Sequence, residues 1–269
     1  MYTIGADIGS VAVKVVLLED GEWRDGIIVP TGWNPKDSGS EAISAILNQN
    51  DLTRAHIARV VSTGYGRNSI ECDERITEIT CHAKGAKIIF ERGGVRFVLD
   101  IGGQDSKAIS LDEKWNVSDF LMNDKCAAGT GRFLQNMAVM LECELKDFSA
   151  LPNDIEPHAI SSMCTVFAES EIVGLLAQGV DKQALMLGIL DSVASRAEGM
   201  LRRVGFNSGR SARGVAFTGG ASRSINLAEL LERRLGVPLL TSEMSQYAGA
   251  LGAAEIAFRE VLSRTRGAG

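Results

Sequence analysis

The sequence has no Cys-x-x-Cys pair, and its five cysteines (Cys72, Cys81, Cys126, Cys143 and Cys164) fall at irregular intervals. An odd, unpatterned set argues against a secreted disulfide framework and against a zinc ribbon built within the chain. Positive charge is in deficit, since 28 Lys and Arg against 34 Asp and Glu give a net charge of −6. That excludes a general nucleic-acid surface or a surface for acidic membranes, so neither is an expected partner. No uncharged apolar run approaches the roughly 18 residues of a membrane span. No secretory leader is expected either, because Asp7, Lys14, Glu19 and Asp20 interrupt the first twenty residues. A cytoplasmic location is expected.

What is present is ordinary globular composition: 45% hydrophobic and 23% charged residues in a chain of 269, long enough for two lobes or one large domain. The chain opens YTIGADIGSVAVKVVLLED, which reads as a strand Tyr2 to Asp7, a tight turn at Gly9 and a second strand Val11 to Leu18. Much later comes VRFVLDIGGQDSKAISLDE, with a strand Val95 to Leu99, Asp100, the Gly102-Gly103 turn and Lys107 leading into a second strand. Both copies fit D-I-G, four residues, then K, at one offset: 100 − 7 = 93 and 107 − 14 = 93. A single copy would read as a plain hairpin with a turn glycine. Two matched copies point to duplicated lobes. Glycine at such a turn exposes N–H groups to phosphate oxygens, and an aspartate at the strand end can hold Mg²⁺ through its waters. The expected phosphate and Mg²⁺ residues are therefore Asp7, Gly9, Ser10 and Lys14 in one loop and Asp100, Gly102 and Gly103 in the other.

A third element, GVAFTGGASRSINLAELLERRLG, is a buried strand Val215 to Thr218, then Gly219, Gly220 and Ala221, then an amphipathic helix. Strand, glycine turn and helix start is where α/β folds hold a nucleotide. Together DIGSVAVK, DIGGQDSK and FTGGAS resemble the phosphate-1, phosphate-2 and adenosine motifs of the actin, sugar-kinase and heat-shock-chaperone ATPases. That resemblance implies an α/β fold of two ribonuclease-H-like lobes with ATP in the cleft between them. The expected division is a first lobe at 1–92, a second at 93–246 carrying the phosphate-2 and adenosine loops, and a C-terminal helix at 247–269 returning toward the first lobe.

Further elements are expected as helices at Glu41 to Asn48, Ile79 to Phe90, Phe133 to Leu141, Thr165 to Gln178, Lys182 to Val204 and Tyr247 to Arg264. Strands are expected at Ile57 to Thr63 and in HAISSM. The stretch PTGWNPKDSGS reads as a loop, and GFNSGRSARG as the most linker-like segment.

Cys72, Cys81 and Cys143 fit the default of a small buried hydrophobe. Cys126, in MNDKCAAGTGRFL, and Cys164, in ISSMCTVFAESEI, differ, because each lies just before a helical pattern. A helix N-terminus lowers thiol pKa and stabilises an anionic centre. On the residues alone three readings stay open: inert buried thiols, a Cys126–Cys164 redox disulfide, or two ligands per chain to a 4Fe–4S cluster that a two-fold dimer completes.

These two segments resemble the signature segments of the 2-hydroxyacyl-CoA dehydratase activators. That family is identified as including benzoyl-CoA reductase ATPase subunits and the reductases of double-cubane-cluster proteins. The likeness extends over STGYGRN, ITCHAKGA, DIGGQDSK and QYAGALGAA, the last beginning at Gln246, which joins the cofactor-binding set. It implies a homodimer with one shared 4Fe–4S cluster, ligated by Cys126 and Cys164 of each chain. It also implies ATP, ADP and Mg²⁺ at the nucleotide loops, reduced ferredoxin or flavodoxin as electron donor, and an iron–sulfur enzyme as acceptor. Gln104 and Asp105 are expected to orient or activate the attacking water. One departure is Ser10-Val11, where the family usually has Ser-Thr, so an altered hydrolysis rate is expected. The alternatives are a small-molecule kinase of the same fold and a nucleotide-gated chaperone or scaffold without redox chemistry. Both leave the cysteine segments without a task.

Overall fold

The protein is described from a computed structural model covering residues 1–149, 151–152, 154–161, 165–207 and 214–267. In chain order it forms β1 (Tyr2–Ile8), β2 (Ala12–Glu19), β3 (Glu22–Pro30), α1 (Pro35–Gln49), β4 (Ile57–Thr63), β5 (Glu74–Arg75) and α2 (Glu78–Phe90). There follow β6 (Phe97–Ile101), β7 (Ser106–Leu111), β8 (Val117–Asn123), α3 (Gly131–Met140), α4 (Thr165–Ala177) and α5 (Lys182–Arg203). The chain closes with β9 (Val215–Thr218), α6 (Ile225–Leu235), β10 (Leu239–Leu240) and α7 (Ala248–Gly267).

Two units result, one of Met1–Arg92, Asp112–Val117 and Ser242–Gly269, the other of Gly93–Leu111 and Ser118–Thr241. Their sheets follow one plan. The first runs β3-β2-β1-β4-β5 and the second β8-β7-β6-β9-β10, so each strand of one has its counterpart in the other. In both, the first two strands are antiparallel and the fourth lies parallel to the first.

In the first unit, period-2 alternation sends Val13, Val15 and Leu17 of β2 to one face and Val16 and Leu18 to the other. The first face packs on Ala42, Ile46 and Leu47 of α1, the second on Ala250, Leu251 and Ala254 of α7. Helix α7 reaches the sheet and α2 through its small residues. A methyl group built on Gly252 would run into the carbonyl oxygen of Cys81, a backbone atom with no freedom to yield. Gly252→Ala is therefore expected to lower stability by about 2–3 kcal/mol, the usual result of forcing a methylene into close-packed backbone. Thermal melting should record a drop of roughly 5–10 °C; an unchanged melting temperature would contradict this packing.

In the second unit Phe97, Leu99, Ile101 and Phe217 of the sheet join Phe133 and Met137 of α3, Ile189 and Val193 of α5, and Leu227 and Leu231 of α6 in one core.

Three expectations are corrected. Helix α1 begins at Pro35 rather than Glu41, because Asn34 accepts a hydrogen bond from the Lys36 N–H and Pro35 occupies the first turn. The PTGWNPKDSGS loop is therefore largely helix. Residues 158–161 of the anticipated HAISSM strand form no strand, and His158 instead donates its N–H to the Ala184 carbonyl of α5. Helix α4 does begin at Thr165, as expected. The middle of the linker-like GFNSGRSARG, residues 208–213, lies outside the described residues.

Candidate nucleotide site and cysteine loop

Strand register builds the second unit's site. The antiparallel pairing of β6 and β7 sets Asp100 opposite Lys107, and the parallel pairing of β6 and β9 sets Asp100 beside Thr218. Both charged side chains are nearly fully buried, with Lys107 Nζ 3.4 Å from Asp100 Oδ2 and 2.8 Å from Asp105 Oδ1. Thr218 Oγ1 donates to Asp100 Oδ1 at 2.8 Å. An aspartate withdrawn from water is tolerated only when its lone pairs are met in this way. The turn itself is closed by the Gly102 N–H donating to the Asp105 carbonyl at 2.9 Å. Gln104 stands exposed at its tip.

Gly219, at φ +82°, ends β9 against this turn. A methyl group there would meet the Ile101 carbonyl and stand 3.0 Å from Asp100 Oδ1. The glycine-rich adenosine loop, Gly219 to Ala221, thus lies against the phosphate-2 loop, and the two sequence-predicted segments are brought together.

The first unit repeats the arrangement in a more open form. Asp7 faces Lys14 across the β1–β2 ladder, with Nζ 3.3 Å from Oδ2, and the lysine keeps a fifth of its side-chain surface exposed. Gly9 and Ser10 form the half-buried turn, and Thr31 Oγ1 donates to the Gly9 carbonyl at 2.7 Å. Gln246 lies in the short 3₁₀ helix, Glu243–Tyr247, that leads into α7.

Cys126 is exposed. It stands on a loop four residues before Thr130, the cap of α3 (130 − 126 = 4), rather than in the first helical turn. Asn123 Nδ2 holds the loop by donating to the Cys126 carbonyl at 3.0 Å and the Ala128 carbonyl at 3.2 Å. The thiol borders a cavity of about 450 Å³ lined also by Met122, Gly129, Arg196, Met200 and Arg203. Cys164 lies outside the described residues; in sequence it directly precedes α4. The remaining cysteines behave as expected of structural thiols. Cys81 is buried in the first unit, and burial pushes its pKa up to about 12. Burial also raises those of Cys72 and Cys143, both half-buried.

These residues fit a nucleotide through half-buried glycine turns beside compensated carboxylates. An iron–sulfur centre is a different case. Among the described residues no group of three or more His, Cys, Asp or Glu could hold a metal ion. An exposed thiol at a cavity mouth fits a ligand presented outward to a shared centre, and does not fit an enclosed site within one chain. Thr218, Thr31, Asn123 and Ser106 are not legible in the sequence, because hydroxyl and amide side chains carry no spacing signal of their own.

The two sheets and their glycine loops define a nucleotide-binding protein of the actin and sugar-kinase fold class. A ROK family glucokinase from Streptomyces griseus, solved with glucose and AMPPNP, superposes with a TM-score of 0.57 at 13% identity, covering 96% of this chain and all of that one, a likeness of fold alone. The chain belongs to the BadF/BadG/BcrA/BcrD ATPase family, whose model matches residues 4–257. It is 42% identical over 266 residues to the (R)-2-hydroxyglutaryl-CoA dehydratase activating ATPase of Acidaminococcus fermentans, spanning 97% of this chain and 98% of that protein. The activator of the 2-hydroxyisocaproyl-CoA dehydratase from Clostridium difficile, solved with bound ADPNP, superposes with a TM-score of 0.90 at 37% identity, covering 99% and 97% of the two chains. Among the described residues no helix is long and apolar enough to cross a membrane.

Proposed function

We propose that this protein is an ATP-driven electron-transfer activator that delivers single electrons at low potential to an iron–sulfur partner enzyme. The partner is of the 2-hydroxyacyl-CoA dehydratase, benzoyl-CoA reductase or double-cubane-cluster class. The observation that carries this reading is Cys126: an exposed thiol, held on a loop of the unit that carries the phosphate-2 loop, in a chain 42% identical to a dehydratase-activating ATPase.

In this reading the phosphate loops and Gly219 to Ala221 hold ATP or ADP. Asp7 and Asp100 hold Mg²⁺ through its waters, a cation that needs only one or two carboxylates. Gln104, exposed at the turn, orients the attacking water, and Asp105 shares that task when Lys107 releases it. Cys126 and Cys164 of two chains ligate one 4Fe–4S cluster, which supplies one-electron chemistry. Reduced ferredoxin or flavodoxin is the donor. Asn123 keeps the Cys126 loop in place. The shared ligand set makes the protein a homodimer. A small-molecule kinase would use the same fold but gives the Cys126 loop nothing to do.

Anaerobic purification tests this. A brown protein with about four irons per two chains is expected, the content of one cluster. Colourless, iron-free protein after anaerobic reconstitution would leave the kinase and scaffold readings.

A further inference from the structure

Helix α3 begins in an unusual way. Its cap residue, Thr130, makes no side-chain bond to the helix; its Oγ1 donates instead to the Ala127 carbonyl. The first N–H groups of a helix lack partners within it. Here those partners come from the phosphate-2 loop: the Gly131 N–H donates to the Gly102 carbonyl at 2.9 Å, and the Arg132 N–H to the Gly103 carbonyl at 2.7 Å. The Gly102-Gly103 turn, the proposed phosphate-2 loop, thus caps α3 with its carbonyls.

A second strut lies beside it. Ser106, at the start of β7 and 2% exposed, donates its Oγ to the Gly129 carbonyl at 2.6 Å. Gly129 is in the same short loop as Cys126, at φ +85°, and the Arg196 stem packs on it. Three bonds therefore join the phosphate-2 hairpin to both sides of the stretch Gly129 to Arg132. The fit is close, since a methyl group on Gly131 would stand 3.1 Å from the Gly102 oxygen. A shift of the Gly102-Gly103 turn on nucleotide binding must then break these bonds or carry the Cys126 loop with it.

We propose that Ser106 is a positioning residue, and that its bond to Gly129, with the Gly102–Gly131 and Gly103–Arg132 bonds, transmits nucleotide state to the Cys126 thiol. This rests on the activator reading for its purpose but not for its test. The readout is alkylation of Cys126 by iodoacetamide in iron-free protein, followed by peptide mass spectrometry. Buried Cys81 serves as the internal control. Rates are compared with ADP and with a non-hydrolysable ATP analogue, each saturating for the variant used.

Wild type should show a ratio between the two nucleotide states of about fivefold or more, the lower end of usual coupling between sites. Ser106→Ala should bring the ratio close to one, and Gly131→Ala, which presses on the neighbouring Gly102–Gly131 contact, should change it as well. A residue that only stabilised the fold would alter both rates together and leave the ratio intact. Ser106→Ala with the wild-type ratio would overturn the proposal, as would a wild-type ratio of one. A protein that never binds iron yet shows the ratio, lost in Ser106→Ala, would sink the cluster reading and leave this inference standing.

Discussion

Cys126→Ser is expected to lower cluster iron from about four atoms per two chains to essentially none, because cluster ligation rests on thiolates. The expectation is sharp because the substitution disturbs little else. The thiol is exposed, and the bonds that shape its loop are made by the Cys126 carbonyl and by Asn123, Thr130 and Ser106. The fold and nucleotide binding should survive, since the phosphate loop is closed by its own Gly102–Asp105 bond. If the ligands are shared across a two-fold axis as proposed, each substitution acts twice, so Cys164→Ser should remove the iron as completely. Iron analysis and visible spectra after anaerobic reconstitution decide the matter. Either single variant keeping a full 4Fe–4S spectrum would show that the cluster is not bridged in this way.

At the nucleotide loops, Asp100→Asn and Gln104→Ala should each slow ATP hydrolysis by roughly 100- to 1,000-fold, the range for removing a preorganised polar group from a reaction site. The two act differently. Gln104 is exposed at the turn, so its loss should leave stability unchanged. Asp100 is buried against Lys107 and Thr218, so its neutralisation leaves a buried lysine dependent on Asp105 and should also lower the melting temperature. Steady-state hydrolysis with melting as control separates the two, and iron content should be untouched in both. Full hydrolysis in both variants would move the water-activating role to other residues.

The duplicated hairpins were legible in the sequence because two constraints coincide there. Glycine must occupy the turn, and register then puts the aspartate and the lysine seven residues later on facing positions, as at Asp7–Lys14 and Asp100–Lys107. The third strand of each sheet was not legible. β3 and β8 lie at sheet edges and read EWRDGIIVP and VSDFLMN, with charged or polar residues among exposed positions, so neither apolar alternation nor a continuous apolar run marks them. The first turn of α1 is polar and largely exposed, so apolar periodicity does not reach it, although Asn34-Pro35 marks its start. The thiol of Cys126 was expected at a helix start; the small residues Ala127 to Gly129 instead spend one more turn of chain before Thr130. The hydroxyl partners Thr218 and Ser106 answer to tertiary position alone. No pattern within a single chain could announce them.

In the proposed activator, nucleotide state and cluster state are coupled. The direct measurement is an anaerobic redox titration of the cluster with ADP and with a non-hydrolysable ATP analogue, paired with the affinity of each nucleotide for oxidised and reduced protein. Two potentials should be found, one per nucleotide. Linkage requires the ratio of the two nucleotide affinities to change on reduction by the same free energy. One potential for both nucleotides, with affinities unchanged by reduction, would contradict the coupling and leave ATP no role at the cluster.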